Sequence, residues 1–244
     1  MMKVQGRPDG AAFAFWVLWL VFPDLPQDDT AMSSSIDAPI LFTIGYAGHD
    51  RDSLLAALRE HRITAVADIR TFKRSSYWTA FDSDDFGPWL RLQGIAYVFM
   101  GDLLGGKPQD ERLYPGGQLD YRAMSQTPAF QQGMARLISG AARYRICLMC
   151  AEKDPLDCHR TLLIAPALKE SGFDLRHILK DGRIETQHDT ECRMVKMHGG
   201  DTPDLFANPA HDLRSVFDLA LQKQVARIAP KAMNVIRKTE KKKK

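Results

Sequence analysis

Four cysteines in 244 residues are too few for a disulfide framework. Three of them, Cys147, Cys150 and Cys158, fall within one short stretch, which points to local chemistry in a reducing compartment and a cytoplasmic protein. Long apolar runs are also scarce. The most extended, AAFAFWVLWLVF at 11–22, falls short of the roughly 18–20 residues that span a bilayer, so stable membrane insertion is not expected. It follows Lys3 and Arg7 as in a signal peptide, yet no small-x-small cleavage site succeeds it and Met32 precedes the first strand-like run. Residues 1–37 therefore read as an amino-terminal extension with Met32 as the expected start, a leader being the alternative. A net positive charge is missing from the body as well: the formal net charge is +3, but 231–244, KAMNVIRKTEKKKK, carries +6 and the remainder −3. A solvated tail explains that run better than a nucleic-acid arm does.

What is present is a regular alternation. ILFTIG (40–45), ITAVADI (63–69), IAYVFM (95–100), RICLMC (145–150) and DLRHIL (174–179) are short apolar runs of the kind buried on both faces of a sheet. Amphipathic stretches separate them: 50–62, 82–92, a segment opened by Pro128, and 159–172, which Gly172 ends. Strand and helix in alternation predict an α/β fold in three layers, with a mostly parallel sheet of about five strands and helices on both faces. The expected organisation is a single α/β domain over 38–190, followed by an appendage over 191–244 with one helix near 211–228.

Open parallel sheets bind ligands beyond the carboxyl ends of their strands, and those ends hold the residues capable of chemistry. The first strand runs into Gly45, Tyr46, Gly48 and His49. The second runs into Asp68, Arg70, Lys73 and Arg74, with aromatic residues interleaved, the third toward Gly105, Gly106 and Lys107, and the fourth into CAEKDPLDCHR. TIGYAGH, ADIRTFKRSS, GI-Y ahead of a Gly-Gly pair, and CAEKDPLDCHR, in that order, closely resemble the family called domain of unknown function 488, over roughly 40–195. The resemblance implies a compact α/β domain and carries no assigned activity, so roles must come from the residues themselves.

Cys147, Cys150, Cys158 and His159 are ligand types that zinc accepts. On a strand, however, Cys147 and Cys150 face opposite sides, and adjacent residues of a helix diverge by about 100°, so Cys158 and His159 are not expected to share an ion. No metal is assigned, and zinc stays the alternative. As a nucleophile, Cys158 has His159 and Arg160 beside it, while Cys150 sits at the strand end. The layout also looks like that of rhodanese, with sulfur transfer through Cys150, but its loop is acidic where rhodanese-type loops cradle an anion. Glu152 is the candidate general acid or base and Arg160 an anion clamp, unless Arg160 binds its own acidic loop. Asp68 and Arg70 either orient the site or form a structural pair. His49 is a ligand contact or a cap, and His159 a cap or a catalytic group. Arg70, Lys73 and Arg74 with neighbouring aromatics favour a phosphate-bearing partner, nucleotide or nucleic acid. A non-catalytic nucleic-acid-binding module with a structural cysteine clasp is the competing expectation.

Overall fold

The computed structural model describes residues 38–75, 77–199 and 209–232, with side chains of the last segment from 215 onward. The amino-terminal extension with its apolar run and Met32, and most of the lysine-rich tail, lie outside the described residues. No described helix is long and apolar enough to cross a membrane.

The sheet is built from β1 (Ile40–Gly45), β2 (Ala65–Asp68), β3 (Ala96–Phe99), β4 (Ile146–Cys150), β5 (Asp174–Ile178) and β6 (Ile184–Thr186), in the order β3-β2-β4-β1-β5-β6. The first five run parallel, and β6 returns antiparallel along β5. The expected five strands are present. The sixth, IET, is too short to show an apolar rhythm and exists because the turn around Gly182, at φ 83°, folds it back onto β5.

Alternation along β4 sorts the core. Ile146, Leu148 and Cys150 join one apolar cluster, whereas Cys147 and Met149 join the other. Helices α1 (Arg51–Glu60) and α2 (Ser83–Leu92) bury Leu54, Leu58, Phe86 and Leu90 on the second face. After β3 come the short α3 (Gly101–Leu104) and α4 (Tyr121–Ser125), then α5 (Pro128–Ala141). A π-helix over Arg160–Ile164 continues into α6 (Ala165–Glu170) on the first face. The chain thus winds β1-α1-β2-α2-β3 over one face and crosses to the other for the connections around β4. Both neighbours of β4, β1 and β2, send their following helices to the opposite face from its own, so a crevice opens at the carboxyl end of β4.

Two further helices follow. α7 (Gln187–Met197), opened by a Thr186/Asp189 capping box, was not foreseen, because its polar sequence carries little apolar periodicity. α8 (Pro209–Ile228) occupies the foreseen segment and adds Ala220, with Phe217, Leu221, Val225 and Ile228, to the first core cluster.

One buried polar bridge ties the layers. His177 of β5 is fully buried, with ring nitrogens 2.7 Å from Thr43 Oγ1 on β1 and 3.0 Å from Gln187 Oε1 at the start of α7. Burial, reinforced by the charge of Arg160, lowers its pKa to about 3. A histidine held neutral in the fold takes up a proton only on unfolding, so its contribution is complete above the unfolded value of 6.5 and is lost as pH falls toward about 3. Over that window urea unfolding should show stability falling by up to about 1.4 kcal/mol per pH unit from this group. A His177→Gln variant should be less stable at neutral pH and show a correspondingly flatter decline on acidification. An identical slope in the two proteins would refute the assignment.

Candidate functional site

The crevice at the end of β4 is held together by main-chain bonds that extend the sheet past its strands. Tyr46 N donates to Cys150 O at 3.0 Å, Ala47 N to Ala151 O at 3.0 Å, and Ile69 N to Met149 O at 3.0 Å. The segments after β1 and β2 are thereby drawn in on either side of the loop 151–158. A cavity of about 640 Å³ lies there, lined by Tyr46, Arg70, Arg74, Tyr121, Cys150, Glu152 and His159 among others. These residues come from five separate segments of the chain.

The loop itself is fixed from beneath by Arg160. Its side chain is 0% exposed, and Nη1 and Nη2 donate to the carbonyls of Glu152 and Lys153 at 2.9 and 3.1 Å. Arg160 is therefore not the anion clamp expected from the sequence but the binder of its own loop, because the π-helix turns its side chain into the core. Gly45 completes the contact: a Cβ there would sit 1.9 Å from Glu152 O. From outside, Arg193 of α7 pairs with Asp154 at 2.8 Å and with Glu185 at 2.9 Å. Gln224 Nε2 donates to Leu156 O at 2.6 Å, and Arg227 pairs with Asp157.

Cys150, Glu152 and His159 meet on the cavity floor, with Cys158 buried beside them. Cys150 Sγ donates to Glu152 Oε2 at 2.9 Å and lies 3.8 Å from His159 Nδ1, while Cys158 Sγ lies 3.7 Å from the same nitrogen. The adjacency of Cys158 and His159 does not separate them as a helix would. Cys158 follows a 3-10 turn over Pro155–Asp157 in extended conformation, φ −133° and ψ 145°, and helical geometry begins only at His159. The Cys158 hydrogen bond, followed by burial, pushes the Cys150 thiol well above its ordinary range. Burial also works against the charge on Glu152, but the Cys150 thiol and His159 outweigh it and keep the carboxyl below its usual value. For His159 burial is again opposed, here by Cys150 and Glu152, and its pKa rises. A protonated, carboxylate-bound Cys150 is a poor nucleophile, which weighs against the rhodanese-like route.

The remaining candidates divide. Asp68 and Arg70 form a buried bidentate pair, with Nε and Nη2 at 2.8 and 2.6 Å from the two carboxylate oxygens. Ser83 at 3.1 Å and Tyr97 at 2.6 Å add two further donors to Asp68. The pair serves as a structural tie between β2, β3 and α2, and Arg70 also stacks its guanidinium 5.0 Å from the Tyr46 ring centroid and reaches the cavity wall. Arg74 lines the cavity and pairs with Asp84 at its exposed edge. Lys73 does not reach it; its ammonium lies 5.0 Å over the Phe99 ring. Nor does His49, whose Nδ1 lies 3.3 Å from Ser53 Oγ at the start of α1, where Asp50 is the cap. Gly105 permits close approach to Thr71, and Gly106 to the His159 ring, 2.6 Å from where its Cβ would stand. Tyr121, Ile228 and Pro230 line the cavity without having been foreseen. Each arrives through tertiary packing of a segment that carries no local motif.

Fold and site together define a doubly wound α/β domain with a thiol, carboxylate and imidazole cluster at its switch point. Residues 50–166 match the family described as Domain of unknown function DUF488, which bears out the resemblance expected from the sequence over that segment. The matched segment runs from the cap of α1 into α6, narrower than the expected 40–195, and contains the whole floor cluster. No curated protein and no solved structure matches the chain.

Two substitutions separate support from chemistry. Gly45→Ala should destabilise the fold by about 3 kcal/mol, since a backbone carbonyl cannot yield as a side-chain tip can. Arg70→Met should cost about 3–5 kcal/mol, because it leaves Asp68 buried without its cation. Chemical denaturation at neutral pH reads both. A change within about 0.5 kcal/mol for either would contradict its placement.

Proposed function

We propose that the domain is an enzyme acting on a phosphate-bearing ligand, a nucleotide or a nucleic-acid end, in the cavity at the carboxyl end of β4. The observation that carries this reading is the division of that cavity. Arg74 and Lys107 stand on its wall, Tyr77 is 92% exposed on its rim, and Cys150, Glu152 and His159 form its floor. Cations on a wall suit phosphate, and an exposed aromatic face suits a base. Of the acidic residues at the cavity, Asp157 is paired with Arg227 and Glu152 accepts from the Cys150 thiol, while Arg74 meets Asp84 only at its exposed edge.

Two buried atoms support a ligand there. Arg70 Nη1 and His159 Nε2 make no hydrogen bond among the described residues, although both side chains are more than nine-tenths buried and both residues line the cavity. Unpaired buried donors of this kind are costly unless a ligand satisfies them. Glu152 is the acid or base of the reading, one residue past the strand end and within hydrogen-bond distance of the Cys150 thiol. A purely structural cysteine clasp would account for the thiols but not for a carboxylate and two unpaired donors beside an open cavity.

Binding of a fluorescent mononucleotide and of a short single strand, titrated at several salt concentrations, tests the reading. Tyr77→Ala should weaken binding by about 5- to 160-fold, in keeping with about 1–3 kcal/mol per stacked base. Arg74→Ala combined with Lys107→Ala should flatten the salt slope by roughly 1.4–1.8 if each contacts one phosphate. Unchanged affinity and slope in both variants would refute the phosphate reading.

A further inference from the structure

We infer that Cys150, Cys158 and His159 form a metal-binding site for a single zinc-class ion, with its remaining coordination position open to the cavity. The three ligand atoms, two Sγ and Nδ1, lie within 4.8 Å of one another, and all three residues are buried. The spacing fits one ion. Zinc bonds of about 2.3 Å to sulfur and about 2.0–2.1 Å to nitrogen, at a tetrahedral angle, put sulfur and nitrogen about 3.6 Å apart. The two sulfur-to-Nδ1 distances here are 3.8 and 3.7 Å. Both sulfur-to-nitrogen separations are thus within about 0.2 Å of that value.

Glu152 fits a different place. Two ligands of one tetrahedral ion, a thiolate and a carboxylate oxygen, stand about 3.6 Å apart, whereas Glu152 Oε2 is 2.9 Å from Cys150 Sγ. The carboxylate is too close to share the ion without shifting, but well placed to accept a hydrogen bond from a water on the open position. Two thiolates and one imidazole with an open position is a donor set of catalytic rather than structural zinc, whose closed sites take four protein ligands.

The chain also holds these ligands in place before any ion arrives. Cys150 ends a central strand, Arg160 fixes the loop that carries Glu152, Gly106 packs on the His159 ring, and Gln224 anchors the turn before Cys158. The fourth thiol of the chain plays no part, since Cys192 is exposed on α7, and Cys147 faces the other core. The inference stands on ligand geometry and does not depend on the identity of the substrate.

The test uses the full chain, reduced, with metal content measured by mass spectrometry after removal of loose ions. About one zinc per chain is expected. Cys150→Ser, Cys158→Ser and His159→Ala should each lower occupancy by roughly tenfold or more, while Cys147→Ser and Cys192→Ser keep it. Because a ligand variant can fail to fold, cobalt is also titrated into chelator-stripped wild-type protein, where thiolate-to-cobalt charge transfer and intense tetrahedral bands are expected. Absence of those bands, or full occupancy in Cys150→Ser and Cys158→Ser, would overturn the site. Glu152→Gln should retain the ion; its loss there would overturn the open coordination position. Nucleotide binding by Arg74 and Lys107 variants reports on the substrate reading separately.

Discussion

The buried guanidinium of Arg160 is the constraint on which the crevice depends. A charged side chain with no exposure is costly unless polar partners meet it, and here Nη1 and Nη2 meet the carbonyls of Glu152 and Lys153 while Nε has no partner among the described residues. Holding those two carbonyls decides where the loop after β4 can lie. With the loop down, Gly45 must be without a side chain, Glu152 projects toward Cys150, and the chain re-enters the core through a π-helix over Arg160–Ile164. π-helical turns are rare and concentrate at functional sites; this one starts directly after His159.

The arginines of the rim therefore divide by burial. Arg160 and Arg70 are largely engaged by the fold, one on carbonyls and one, through Nε and Nη2, on Asp68, Phe81 O and Ser83, which leaves Arg70 Nη1 without a partner among the described residues. Tyr97 strengthens the second network. Burial, and then the Asp68 carboxylate, push its phenol upward, so it stays a hydrogen-bond donor. Besides Arg70 Nη1, the cations that line the cavity are Arg74 and Lys107, which are nearer to solvent and whose interactions are correspondingly weaker and dependent on salt. Affinity for a phosphate and rigidity of the site thus come from different residues, and each can change without the other.

The strands were legible because short apolar runs buried on both faces have few alternatives when they alternate with amphipathic helices, and the positions of β1 to β5 follow them closely. The rim was legible for the same reason, since strand ends locate it. Convergence within the rim was not. Whether Cys158 and His159 share a point in space depends on one residue's backbone, extended at Cys158 rather than helical, and a 3-10 turn at Pro155–Asp157 leaves no periodicity by which to read that. Lys73 and His49 show the converse. Both sit in the right segments, but a single rotation of the chain sends one onto Phe99 and the other beside Ser53. The contributions of α7 and α8, through Arg193, Gln224 and Arg227, join positions up to 70 residues apart, and no local pattern encodes such pairs.

The floor cluster is best understood through its charge. Two thiols, an imidazole and a carboxylate share a buried volume in which each ionised group alters the cost of ionising the next. Without a metal, the thiol of Cys150 keeps its proton and spends it on Glu152. A divalent ion reverses that balance: two thiolates neutralise it, the imidazole binds neutral, and the carboxylate is released from the thiol to face the cavity. The same four side chains would then change from a closed hydrogen-bonded knot to an open site, and the thiol protons of both Cys150 and Cys158 must leave for that change to occur.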